Sequence, residues 1–152
     1  MKALTLRRPW PYAIFRLGKD FENRTWKPPA SIVGHRIAIH AGKKWDYAGY
    51  RWICEHGLAN PADIERMDRD YARPMLGIVG TVLVTGWREQ QDTTSIWSMP
   101  NKYCWELDTP IDFSTPIAYS GKQRLWNVPA ELEAAIQLAQ GLGTQGFGCW
   151  SI

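Results

Sequence analysis

Residues 17–26, LGKDFENRTW, constrain the fold more than any other stretch of the chain. They interleave Lys19, Asp20, Glu22 and Arg24 with two large aromatic rings, Phe21 and Trp26. A solvated loop does not need the rings, and a buried strand does not tolerate the charges unless something pairs with them. Read as a strand, the segment puts Asp20, Glu22, Arg24 and Trp26 on one face and Phe21, Asn23 and Thr25 on the other. Side chains two apart on a strand sit roughly 6–7 Å apart and point the same way. Glu22 and Arg24 are therefore placed to pair. Lys19 follows a turn at Gly18, from which its long stem reaches the same side. A structural salt bridge satisfies this pattern, and so does a charged cleft.

The flanking sequence supplies the rest of a mixed fold. Residues 3–6 alternate as a short strand, and Trp10, Ile14 and Leu17 fall at helical spacing with Gly18 as terminator. HRIAIHA (35–41) reads as a strand, and Trp45, Ala48, Trp52 and Ile53 as one helical stripe. Asn60, Pro61 and Asp63 open a short polar helix over 60–72. Residues 75–87 predict a central strand, 102–108 another, and 111–119 an extended piece that Pro116 confines to an edge or bend. Residues 88–101 read as polar loop, 129–141 as a helix, and FGCWSI (147–152) as a terminal strand. Strands outnumber strand–helix–strand units, so the expected class is α+β: a curled mixed sheet or small barrel with surrounding helices. The length, 152 residues, suits one domain with a real core.

The net charge is only +3, yet residues 1–60 hold eleven Lys and Arg against four acids. That half can attract phosphate-bearing partners, or simply carry solvated charge. No apolar run approaches the ~20 residues that span a bilayer, and no signal peptide is evident, so a cytoplasmic location with no membrane partner is expected. Cys54, Cys104 and Cys149 form no C-x-x-C pair and read as small buried hydrophobes. His35, His40 and His56 lack metal-ligand spacing, so neither metal nor cofactor is expected. GLGTQG (141–146) spells a dinucleotide fingerprint but follows a helix rather than a strand, and reads instead as a helix exit.

Several of these segments together resemble the ASCH domain, a PUA-like small-barrel family. They are the opening strand with R-x-P-W, the element that family writes as G-x-K-x-x-E-x-R, the IHA strand end and the late SGKQRLW segment. Gly18 stands directly ahead of Lys19 here, followed by Glu22 and Arg24. The likeness extends from residue 4 to about residue 126, most of the chain. It implies a single PUA-like domain over 1–152, a cleft lined by the charged strand, and a nucleobase or RNA as ligand. It also implies competing activities: hydrolysis of N4-acetylcytidine, RNA binding as a module, or ribonuclease action. In the amidohydrolase pattern the motif lysine is catalytic, and it falls on Lys19. That pattern has threonine three residues further on, where this chain has Glu22. A further catalytic glutamate lies beyond the central strand in such enzymes, and Glu89 is the nearest candidate.

Amide hydrolysis needs an activated water and a donor for the oxyanion. Glu22 can take the proton, Lys19 can hold the oxyanion or protonate the leaving amine, and Arg24 can fix Glu22. The roles of Lys19 and Glu22 can also be exchanged. Trp10, Trp26 and Trp126 are core residues or stacking platforms for a base, and Gln123 has an amide able to read cytosine edges. His40 contacts ligand or satisfies a carbonyl. Arg7 and Lys122, like Lys43 and Lys44, attract phosphates or remain solvated.

Overall fold

The N-terminal strand organises the sheet. In the computed structural model, which describes residues 1–145, β1 (Lys2–Arg8) lies between two strands distant in sequence. It pairs in parallel with β3 (His35–Trp45) and antiparallel with β6 (Leu125–Asn127). The sheet continues antiparallel from β3 to β4 (Gly77–Arg88), β5 (Tyr103–Ile117) and β2 (Phe21–Arg24). The order is β2-β5-β4-β3-β1-β6, and a short β7 (Thr144–Gln145) adds to β5. Among the described residues four α-helices surround it: α1 (Trp10–Arg16), α2 (Tyr47–Glu55), α3 (Pro61–Ala72) and α4 (Ala130–Leu142). The fold is therefore mixed α+β. Among the described residues no helix is long and apolar enough to cross a membrane.

The expected barrel needs correction. Among the described residues the sheet stays open, with β2 and β6 as its edges. Those edges are only four and three residues long. Curvature comes from the long inner strands instead, since the β4–β5 ladder shifts register at three places.

Alternation along the strands divides the core into two sides. One face carries Leu4, Leu6, Ile37, Ile39, Val82, Val84, Trp105 and Leu107, a continuous apolar cluster joined by Ile14 and Phe15 of α1. The other carries Ala3, Ala38, Ile78 and Trp126 beneath Leu132 and Ile136 of α4. A third cluster, around Ala13, Phe21, Ile53, Met67, Trp97 and Cys104, seats α2 and α3.

Other boundaries differ from the sequence reading in instructive ways. Trp45 belongs to the end of β3, because Asp46 caps α2 by accepting a hydrogen bond from the Gly49 amide at 2.9 Å. Residues 102–108 and 111–119 merge into the one strand β5, held by the unbroken partner β4. Cys104 is buried but Cys54 is only half-buried. Cys149 and the expected terminal strand lie outside the described residues.

Candidate functional site

The turn after α1 aims Lys19. Gly18 adopts a left-handed backbone (φ 74°) that favours glycine, and the amides of Leu17 and Lys19 both bond to the Ala13 carbonyl at 3.0 Å. The chain then enters β2, and the Lys19 side chain folds inward, where the residue is only 4% exposed. Its ammonium donates to the Phe21 carbonyl and lies 3.5 Å from Glu22 Oε1. It also sits 5.2 Å from the ring centre of Trp10 and 5.9 Å from that of Trp97.

Glu22, 7% exposed, is directly opposite Trp105 on β5, so it faces the sheet interior. Its Oε2 is 3.4 Å from Arg24 Nη1. The Arg24 guanidinium lies 5.6 Å from the Trp26 ring, which in turn meets Trp105 edge-on at 4.7 Å. Arg24 Nε is buried and has no hydrogen-bond partner among the described residues. The charged strand thus faces a row of three groups, ammonium–carboxylate–guanidinium, with indole rings along it. Asp20 stands outside that row, exposed, and accepts from the Ser95 hydroxyl at 2.5 Å.

Burial pushes the Lys19 ammonium below the ordinary lysine value of 10.5, because the charged form loses its hydration. Glu22, Asp20 and Cys104 oppose that shift without cancelling it. Trp10 is held rigidly beside the ammonium. Its indole N–H donates to Asp46 Oδ2 at 2.9 Å, and a methyl group at Gly49 would come within 2.4 Å of its ring. Asp46 therefore caps α2 and locks Trp10 at once. Arg8, beside Trp10 in sequence, is buried and ties β3 to α3 through the carbonyls of Gly42, Lys43 and Asp70.

The remaining sequence candidates gather elsewhere. His40 is opposite Thr5 in the β1–β3 ladder, one residue from Ile39, so alternation sets it on the face away from Glu22. There it lies 3.2 Å from the Thr5 hydroxyl and 2.7 Å from the Tyr119 carbonyl, edge-on to Trp126. Trp126 is buried, stacks on Tyr119 and donates to Thr5 Oγ1 at 3.0 Å. Lys122 and Gln123 are exposed next to this cluster, and the Lys122 carbonyl accepts from the Thr5 hydroxyl. Arg7, Lys43 and Lys44 are exposed. Glu89 is exposed at the start of a turn of 3₁₀ helix (Gln90–Asp92). The structure therefore brings Lys19, Glu22, Arg24, Trp10 and Trp26 together, and sets His40 and Trp126 across the sheet.

Two open hollows, of about 580 and 630 Å³, share Arg88, Asp92 and Glu106. Glu89 lines the second. Glu106, which lines both, alternates with Trp105 on β5, so its side chain points away from the face that carries Glu22. They are shallow and charged on both signs, and they lack the desolvation that makes the Lys19 pair chemically distinctive. Among the described residues no three His, Cys, Asp or Glu side chains gather closely enough to hold a metal ion.

The residue that sequence reasoning missed is Trp97. It sits in a stretch of Ser, Thr and Pro that reads as polar loop, yet it is 7% exposed and borders the ammonium. The signal was present: an indole in a polar loop has to find a place to bury its ring. Comparison of the chain with protein-family models and with curated proteins gives no significant match.

Proposed function

We propose that the chain is an amidohydrolase acting on N4-acylated cytidine, and that Lys19, Glu22 and Arg24 carry the reaction. The observation that supports it is the dry ion row: Lys19 and Glu22 are both nearly inaccessible, 3.5 Å apart, with Arg24 bracing the carboxylate from its other oxygen. The resemblance to the ASCH family, carried by the same residues, supplies the substrate class.

In this reading Glu22 takes a proton from water as the water oxygen adds to the acyl carbon. The carbonyl electron pair moves onto oxygen, and the Lys19 ammonium and the unpartnered Arg24 Nε–H face that developing charge. Collapse restores the carbonyl, breaks the C–N4 bond and leaves the electron pair on N4. Lys19 supplies the proton that N4 then needs, and its lowered affinity for protons makes it a readier donor at neutral pH. The proton on Glu22 returns to Lys19 across the ion pair. Products are cytidine and a carboxylic acid. Trp10 and Trp26 offer ring faces along the row for the pyrimidine.

The test is incubation of purified protein with N4-acetylcytidine, with products resolved by chromatography. Cytidine and acetate are expected in equal amounts, and Lys19→Met is expected to lower turnover by about a hundredfold or more. Folded protein that releases no cytidine rejects the amidase reading. If that protein retained RNA with an affinity falling steeply with salt, the binding-module alternative would replace it.

A further inference from the structure

Trp97 reaches the ammonium because its loop is strapped down onto β2. Two side chains make the ties. Asn23 uses both halves of its amide: Nδ2 donates to the Trp97 carbonyl at 2.8 Å, and Oδ1 accepts from the Met99 amide at 3.0 Å. Ser95 donates to Asp20 at 2.5 Å while its oxygen accepts from the Trp97 amide at 3.2 Å. The strap turns one indole inward and leaves its neighbours Ile96 and Met99 exposed. The buried ring packs on Trp52 at 5.8 Å, so α2 backs it as Asp46 backs Trp10.

Asn23 itself does not face the ion row. It lies between Glu22 and Arg24 on β2 and opposes Cys104, on the other side of the strand from both. Its amide is spent on the two backbone groups flanking the strap, as a neighbouring strand would be. We infer that Trp97 is a wall of the Lys19 site, and that Asn23, from the far side of β2, is the residue that positions it.

Between them the rings of Trp10 and Trp97 occupy space that water would otherwise take around the ammonium. The charged or titratable groups facing Lys19 are Glu22, Asp20 and Cys104, and all three favour its protonated form. The indole walls act in the opposite sense, by excluding solvent. Releasing the strap therefore restores hydration and returns Lys19 toward ordinary lysine behaviour. The inference rests on Lys19 as the working group of the proposed site, and not on the choice of substrate.

The test follows Lys19 directly, by NMR titration of its ¹³Cε resonance in lysine-labelled protein, assigned by its loss in Lys19→Met. Trp97→Leu and Asn23→Ala are each expected to move the titration upward, and Trp97→Phe, which keeps a ring, to stay near wild type. The alkaline limb of the turnover profile should move with it, and turnover at neutral pH should fall about tenfold or more in Trp97→Leu. Folded variants whose Lys19 titrates as in wild type overturn the inference. If Asn23→Ala does not fold, Asn23→Ser, whose shorter hydroxyl cannot span the Trp97 carbonyl and the Met99 amide together, takes its place under the same criterion. A titration that moves in protein making no cytidine upholds the strap and rejects the substrate. Turnover with an unmoved titration does the reverse.

Discussion

Lys19 and Glu22 form one ion pair, yet they are unequal partners. Glu22 keeps Arg24 when Lys19 is removed, whereas Lys19 without Glu22 keeps the Phe21 carbonyl, two ring faces and the weaker, more distant influence of Asp20 and Cys104. Lys19→Met takes a poorly hydrated charge out of the interior and should leave stability within about 1 kcal/mol of wild type. Glu22→Gln strands the ammonium and should cost about 3 kcal/mol at neutral pH, less at high pH where the lysine sheds its proton. Urea unfolding of both variants checks this, and a larger loss in Lys19→Met would contradict the assigned geometry. The pairing of Glu22 with Arg24 was legible in the sequence, because a two-residue spacing on a strand fixes a shared face. The separation of His40 from that row was not. It depends on which face of β3 turns toward β2, and only the ladder running β2-β5-β4-β3 settles it. The burial of Trp97 could be read from its indole, but its place beside Lys19 could not, since its contacts are made by a strap with no periodicity to read.

Elements whose ends are written in local chemistry came through the sequence most clearly. α3 is the best example: Asn60 accepts from the Asp63 amide at 2.8 Å and Asp63 returns a bond to the Asn60 amide at 3.1 Å, with Pro61 in the first turn. Asn60→Ala should therefore lower the unfolding free energy by about 1 kcal/mol without touching the ion row. Calorimetry alongside the Lys19 titration measures both halves of that expectation, and a changed titration would show α3 coupled to the site. Strands depended on their partners. The Thr109–Pro110 step looks like a break between two pieces, and Thr109 does take a positive φ of 38°, but pairing with β4 carries the strand through. Trp45 reads from its spacing as the start of a helical stripe, and the Asp46 cap places it instead at the end of β3.

For the whole molecule, the buried lysine makes stability depend on alkalinity. Its folded proton affinity lies below the ordinary value of 10.5, so above the folded midpoint the unfolded chain binds more protons than the folded one. Stability linked to Lys19 is therefore lowest below that midpoint and rises as pH climbs through it toward 10.5. Wild type should gain stability relative to Lys19→Met over that window, as measured by denaturant unfolding at a series of pH values, and a wild type that stays level with the variant or loses ground to it would contradict the burial. The sheet adds a constraint of another kind. Lys2–Leu4 of β1 pair with residues 125–127, so during synthesis β1 keeps one bare edge until β6, far along the chain, has followed it. Translation can hand over the helical turns early, but the sheet itself is completed late, and its nascent form is the one a chaperone would meet.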